Sequence, residues 1–182
     1  LDLMNSVPRA ILSAVIKVVI WIIPVLILVK VMEKAVPLSY LGLRYNFRKG
    51  LKWAVWVSLV FISYFIILNF TVLHNNIDFR IGFNELLNTV LLVGITEEIV
   101  FRGFILKKLM NSFKFWIANT ITSLLFVTIH FPIWFYKGLF EFPYILTVSL
   151  SAFILSVIFG YVYKKSGSLW SVIVIHSLYN FL

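Results

Sequence analysis

The stretch 95-ITEEIVFRGF-104 lies inside a long apolar region, yet it holds two adjacent carboxylates and an arginine, Glu97, Glu98 and Arg102. Charged side chains at membrane depth are costly and tend to be functional. Apolar residues continue on both sides of the stretch, which favours a membrane-spanning helix. These three charges are therefore the first candidates for a functional site inside a membrane.

The composition of the 182-residue chain is typical of a membrane protein. Hydrophobic residues make up 62% and charged residues 13%, and the mean hydropathy is +1.01. Soluble domains average nearer half apolar and a quarter charged, so lipid must be the solvent for much of this surface. The apolar runs are continuous and do not alternate as in a membrane barrel. We therefore predict an all-α, polytopic transmembrane bundle that forms a single membrane domain over residues 1–182.

The cysteine and charge content argues against some kinds of fold, mechanism and partner. The chain has no cysteine, which excludes a disulfide framework and a thiol nucleophile. The formal net charge is +9, which in a membrane protein reflects basic loops facing the cytoplasm, so no nucleic-acid partner is expected. The first residue is Leu1, which indicates a processed product or a fragment. The first apolar segment is long enough to span, which argues against a cleavable signal peptide.

About six apolar segments approach the ~20 residues that a spanning helix needs. They are expected near residues 7–31, 51–73, 83–106, 113–131 (with Pro132 as a stop), 143–163 and 169–182. The loops after the first, third and fifth segments are basic, so the positive-inside rule places them in the cytoplasm and both termini outside. The segment 38-LSYLGLRYNFRKGLKW-53 is either an interfacial amphipathic helix or an ordinary basic loop. His74 is expected to be a solvated loop residue.

Three predicted spans carry an unusual polar set. The third span carries Glu97, Glu98 and Arg102. The fourth span carries the stretch 126-FVTIH-130, and the sixth carries 176-HSLYN-180. Residues four apart share a helix face, so Glu98 is expected to pair with Arg102. By the same spacing, His176 stacks with Asn180, and the ring of Phe126 walls a site beside His130. Glu97 points about 100° away from Glu98 and is free to face another helix.

This arrangement indicates different roles for the two carboxylates. A Glu98–Arg102 ion pair would cancel its own charge and stabilise its helix, and Glu97 would be left without a partner. An unpaired buried carboxylate is suited to taking a proton from water, and a nearby histidine could hold that water. A second histidine and an asparagine amide are donors that, aimed at one point, can stabilise an oxyanion. The pattern suggests water attacking an amide without a covalent nucleophile.

Other interpretations of the polar set stay open. A Glu–Arg pair or a single membrane histidine can be purely structural. Buried acids and histidines also occur in transporters and ion pathways, although the chain shows no internal repeat. Glu97, His130 and His176 could supply three zinc ligands. The HExxH spacing of helical zinc proteases is missing. We expect no cofactor and no tightly bound zinc, because the donor role of His176 and Asn180 needs no metal, although zinc is not excluded.

Together, the three motifs resemble those of a known family. The stretch 97-EEIVFRG-103 is similar to the EExxxR motif of the CAAX-protease and bacteriocin-processing (CPBP, or Abi) family, also described as type II CAAX prenyl endopeptidase-like proteins. The other two motifs are similar to its FxxxH and HxxxN motifs, in the same order. The stretch 166-SGSLW-170 also looks like family sequence. The resemblance covers roughly residues 90–182, within a motif-bearing core expected at 83–182.

The resemblance implies a membrane-embedded glutamate endopeptidase. Glu97 and His130 would activate the water, and His176 and Asn180 would form the oxyanion site. The structural support would come from Glu98, Arg102 and Phe126. The implied setting is a bacterial cytoplasmic membrane, with a peptide or protein substrate in bacteriocin processing or self-immunity. The alternative is a non-catalytic scaffold or regulator that partners another membrane or cell-wall protein.

Overall fold

The computed structural model describes residues 2–73 and 80–182, with side chains over 7–71 and 80–182. Its regular structure in these ranges is helical. His74 and the rest of its predicted loop lie outside the described residues. The bounds of the helices are: α1, 2–32; α2, Pro37–Tyr40; α3, 47–73; α4, 83–109; α5, Phe115–Thr128; α6, Phe131–Tyr136; α7, Tyr144–Ser166; and α8, Leu169–Phe181.

Three of the long helices contain wide π-helical segments. These are Val18–Ile22 in α1, Asn69–Leu73 in α3, and both Leu86–Leu91 and Ile99–Leu106 in α4. The segment in α1 directly precedes Pro24, which has no N–H to donate to a regular ladder. Wide turns of this kind let side chains reach backbone carbonyls, and two of them in α4 flank the 97–98 carboxylates.

In the described part of the chain, four helices are long and apolar enough to cross a membrane, namely Val7–Met32, Phe47–Thr71, Phe115–Tyr136 and Tyr144–Ser166. The predicted all-α membrane bundle is therefore confirmed. Helix α4 is also long but carries the charged motif. Helix α8 has 13 residues, or about 20 Å of rise, which is less than the ~30 Å hydrocarbon core. That α4 and α8 also cross the membrane, which would give six spans, stays a prediction.

Two local predictions need correction. The segment 38–53 is not one amphipathic helix, since only Pro37–Tyr40 is helical before a turn, and the membrane helix α3 begins at Phe47. The basic-loop interpretation fits this segment better. Pro132 does not terminate the fourth span, because α5 ends at Thr128 and Pro132 lies in the first turn of α6. Proline suits that position because a first-turn N–H has no helical partner.

The bundle buries a charged cluster within an apolar core and exposes large apolar residues on its outside. Glu98, Arg102 and Ser156 are fully buried, whereas the outward-facing aromatic residues Trp56 and Phe135 are 71% and 74% exposed. Soluble proteins almost never bury unpaired charges. Exposed apolar residues around a buried charged cluster fit a protein whose outer surface meets lipid.

Glycines bring the helices that carry the site into close contact. Helix α8 packs against α3 and α4, and α7 packs against α5. A Cβ at Gly94 would lie 2.5 Å from Ser177 Oγ, across the α4–α8 contact. A Cβ at Gly160 would lie 1.9 Å from Asn119 Oδ1, across the α5–α7 contact. Small residues at these crossings are typical of membrane helix packing.

Candidate active site

The centre of the site is the predicted Glu98–Arg102 pair, which is present and fully buried. Nη1 of Arg102 donates to Oε1 of Glu98 at 2.8 Å. Nη2 donates to the Ser156 hydroxyl at 2.7 Å and to its carbonyl at 3.1 Å, which ties α4 to α7. The guanidinium lies 4.8 Å from the centroid of Phe126 and 5.3 Å from that of Phe159. Sequence reasoning missed Ser156 and Phe159, because neither carries a spacing signal.

His176 is held by the same carboxylate. Its Nδ1 lies 2.7 Å from Oε1 of Glu98, and since a carboxylate only accepts, Nδ1 carries the proton. One oxygen of Glu98 therefore accepts from both Arg102 and His176, and this joins α4, α7 and α8. The other ring nitrogen, Nε2, lies 3.9 Å from Oε2 of Glu97, beyond direct hydrogen-bond distance.

The two adjacent carboxylates occupy different environments. The side chain of Glu98 is 0% exposed and committed to two donors, whereas that of Glu97 is 12% exposed. Oε2 of each carboxylate is buried without a hydrogen-bond partner among the described residues, but only Glu98 has its other oxygen bound to donors. Nε2 of His176 lies 3.9 Å from Oε2 of Glu97. Glu97 is thus the carboxylate that remains available for chemistry.

His130 is oriented by its own motif. Its Nδ1 lies 2.7 Å from the carbonyl oxygen of Phe126, and since a carbonyl only accepts, the proton is on Nδ1. The neutral ring then presents Nε2 as an acceptor. Phe126 and Trp134 pack on the ring with centroid distances of 4.9 and 5.3 Å. No direct hydrogen bond joins His130 to Glu97 in the described part of the chain, and their predicted link through one water stays a prediction.

A cavity of about 360 Å³ opens between α5, α6, α7 and α8, and we name it the site cavity. His130, His176 and Asn180 all line it. Glu97 is not among its lining side chains and lies instead beside Nε2 of His176. The structure thus brings three of the four predicted catalytic residues to one cavity and places the fourth next to one of them. The remaining walls are Phe126, Trp134, Thr147, Val148, Ser151, Ala152, Leu155, Phe159 and Tyr179.

Asn180 is anchored to α4. Its Nδ2 donates to the carbonyl oxygen of Thr89 at 3.1 Å, within the wide segment Leu86–Leu91. A primary amide carries two N–H donors, so one is still available toward the site cavity. The preceding carbonyl, that of Asn88, accepts from Nζ of Lys17 at 2.5 Å. Lys17 therefore ties α1 to the segment that holds Asn180.

Two further cavities adjoin the site cavity. One, of about 450 Å³, is largely apolar, lies between α3, α7 and α8, and shares Ser151, Leu155 and Tyr179 with it. The other, of about 320 Å³, is lined by Arg80, Glu85 and Thr89 among others, and meets the site cavity at Asn180. The site cavity is therefore adjoined by one apolar cavity and by one more polar cavity.

The candidate zinc ligands are not grouped as a metal site in the described residues. Within residues 2–73 and 80–182, no three His, Cys, Asp or Glu side chains are grouped so that they could hold a metal ion. The expected absence of zinc stays a prediction.

Comparison with known proteins identifies the family. A model of the family described as type II CAAX prenyl endopeptidase Rce1-like matches residues 79–182, which is more than half of the chain and includes all three motifs. No curated protein and no solved structure matches the chain. The family implies a CAAX protease-type function on a peptide substrate in a lipid environment. The chain is accordingly an integral membrane protein that belongs to the Rce1-like family of type II CAAX prenyl endopeptidases.

Proposed function

We propose that this protein is a metal-independent glutamate endopeptidase that hydrolyses a peptide bond in or near the bilayer. The observation that carries the proposal is the contrast between the two adjacent carboxylates. Glu98 is fully buried and its Oε1 accepts from two donors, whereas the Glu97 side chain accepts no hydrogen bond from another described residue and its Oε2 lies 3.9 Å from Nε2 of His176. A base has to be unoccupied to accept a proton, and the absence of a hydrogen bond to the Glu97 side chain from the described residues supports this role.

In the proposed reaction, the oxygen of water attacks the carbonyl carbon of the substrate amide. Glu97 accepts a proton from the water, and Nε2 of His130 holds the water as a hydrogen-bond acceptor. The carbonyl π electrons move to oxygen and form a tetrahedral oxyanion. The carbon–nitrogen bond then breaks, and the proton on Glu97 passes to the departing amine. The products are a carboxylic acid and an amine, and no covalent enzyme intermediate forms.

His176 and Asn180 are proposed to donate to the oxyanion. Nδ1 of His176 is engaged with Glu98, so the donor has to be Nε2–H, and the ring then carries both protons. Two carboxylates, one guanidinium and one imidazolium sum to zero charge at the centre of the bundle. A neutral cluster avoids the large cost of an unpaired charge in a medium of low dielectric constant.

The biological setting is proposed from the motif resemblance. The protein would act in a bacterial cytoplasmic membrane on a peptide or protein, in bacteriocin processing or self-immunity. One observation favours a second candidate, a membrane scaffold or regulator that partners another membrane or cell-wall protein. The fully buried Arg102 connects Glu98 to Ser156 and so braces helices whether or not catalysis occurs.

A trapping experiment distinguishes these proposals. Protein in liposomes is incubated with a peptide library, in prenylated and unprenylated forms, with and without hydroxylamine. Direct attack by water predicts cleavage with only free carboxylic acid as the acyl product. A hydroxamate product would show an acyl-enzyme and contradict the mechanism. Folded protein that cleaves no peptide would support the scaffold.

A further inference from the structure

A fourth cavity lies apart from the site cavity, on the side of the bundle that bears the basic loops. It has a volume of about 500 Å³. We name it the interfacial groove. Helix α4 contributes two of its walls, α8 two others, and the segment between α1 and α3 the rest. Its lining residues are Val36, Leu38, Leu43, Arg44, Ile95, Ile99, Trp170 and Ile173.

The mouth of the interfacial groove is fixed by hydrogen bonds to the start of α8. The Leu169 N–H donates to the carbonyl of Gly42 at 3.0 Å, and the indole N–H of Trp170 donates to the carbonyl of Leu43 at 2.9 Å. Gly42 has a φ of +79°, a left-handed conformation that favours glycine. Phe47 packs edge-on against Trp170 with centroids 6.2 Å apart. The groove is therefore a built feature and not a gap between loose loops.

The mouth is also strongly basic. Arg44 lines it, and Arg48, Lys49 and Lys52 follow within the next two turns of chain. All four side chains are exposed, and none forms an ion pair or hydrogen bond with another described residue. The acidic residue nearest in sequence, Glu33, is already paired with Lys108. Positive charge at this end is therefore left for an external partner.

We propose that the interfacial groove binds an anionic phospholipid. An apolar groove that opens to a bilayer is filled by an acyl chain. Water in the groove would hydrate apolar side chains, and an empty groove would lose their van der Waals contacts. A guanidinium at the mouth is suited to a phosphate, which it can bind through two parallel hydrogen bonds. The volume lies within the roughly 300–1,000 Å³ typical of ligand pockets.

The bound lipid would contact two of the helices that carry the site, α4 and α8, without entering the site cavity. Ile95 and Ile99 flank the 97–98 carboxylates on α4, and Ile173 precedes His176 on α8 by about one turn. The acyl chain would therefore pack against residues of both α4 and α8, which contact each other. This inference does not depend on proteolysis.

Native mass spectrometry tests this site directly. The purified full chain is mixed with equal amounts of phosphatidylglycerol and phosphatidylcholine that have the same acyl chains, and the retained lipids are counted. Wild type is expected to retain phosphatidylglycerol preferentially. Arg44→Gln should reduce that preference about fivefold, the effect of losing one basic contact to an anionic lipid. The matched control is Arg48→Gln, an exposed arginine that does not line the groove, and it should retain most of the preference.

A second variant tests the acyl part of the site. Leu38→Trp places a bulky ring in the groove and is expected to lower retention of both lipids, while circular dichroism confirms that the variant stays helical. Three results would overturn the proposal: equal retention of the two lipids by wild type, equal losses in Arg44→Gln and Arg48→Gln, or a folded Leu38→Trp variant that retains lipid as wild type does.

Discussion

At the scale of single residues, Oε1 of Glu98 accepts from both Arg102 and His176, and Arg102 also donates to Ser156. Glu98 and Arg102 are four apart, so helix geometry alone pairs them. The further partner of Arg102, Ser156, lies 54 residues away on α7, and a serine in an apolar helix carries no distinguishing pattern. The attachment of His176 to Glu98 also requires knowledge of how α4 and α8 pack. Spacing along one helix thus predicts which of its side chains can pair. Which side chains of other helices bind the same carboxylate depends on tertiary packing.

Replacing Arg102 tests whether this network stabilises the fold. Arg102→Ala leaves Glu98 buried with only His176 as a partner, and breaking a buried pair costs about 3–5 kcal/mol. We expect a lower melting temperature in detergent and less folded protein in the membrane. Arg9→Ala, at an exposed arginine, is the control and should match wild type. A variant of Arg102 with unchanged melting temperature would show that the pair contributes little to stability.

At the scale of elements, the apolar runs predicted where most helices lie but not where they break. The runs near 7–31 and 143–163 correspond closely to the observed spans Val7–Met32 and Tyr144–Ser166. The break between α5 and α6 falls at 129–130, ahead of Pro132, and leaves His130 just before α6. Hydropathy does not change at this point, so the break depends on backbone geometry. The break matters because it places the His130 ring at the site cavity.

The α5–α7 contact gives a prediction at this scale. Gly160→Ala would place a Cβ within 1.9 Å of Asn119 Oδ1 and disturb the bond that Asn119 Nδ2 donates to Val157 O. Overpacking of this kind typically costs about 1–3 kcal/mol. We expect a lower melting temperature than for Gly82→Ala, where the nearest atom to an added Cβ is 3.9 Å away. Equal melting temperatures would show that α5 and α7 can separate at this crossing without cost.

At the scale of the whole molecule, composition and loop charge predicted a membrane bundle and its orientation. The fold class followed from surplus apolar surface, and the structure confirms it through four membrane-length helices and an apolar exterior. The short α8 and the interfacial groove could not be predicted, because both depend on how the segment between α1 and α3 folds back onto α8. The orientation rests on the basic loops and is still untested.

The predicted orientation can be measured because the native chain has no cysteine. Ser112→Cys lies in the basic loop after α4, and Lys137→Cys lies in the loop after α6, and both positions are exposed. A membrane-impermeant maleimide added to intact cells should label Lys137→Cys and not Ser112→Cys, since basic loops face the cytoplasm. Labelling after lysis confirms that both thiols are reactive. The reverse pattern would invert the topology.

The central claim is that Glu97 is the catalytic base, and its most direct test is the cleavage rate of Glu97→Gln at matched protein amounts. The glutamine keeps the size of the side chain but cannot accept the proton, so kcat/KM should fall about 10²–10⁴-fold. The amount of folded protein should stay near that of wild type, because a neutral amide is less costly to bury than a carboxylate. Glu141→Gln, in an exposed loop, is the control and should cleave as wild type does. A folded Glu97→Gln variant with wild-type kcat/KM would contradict the account.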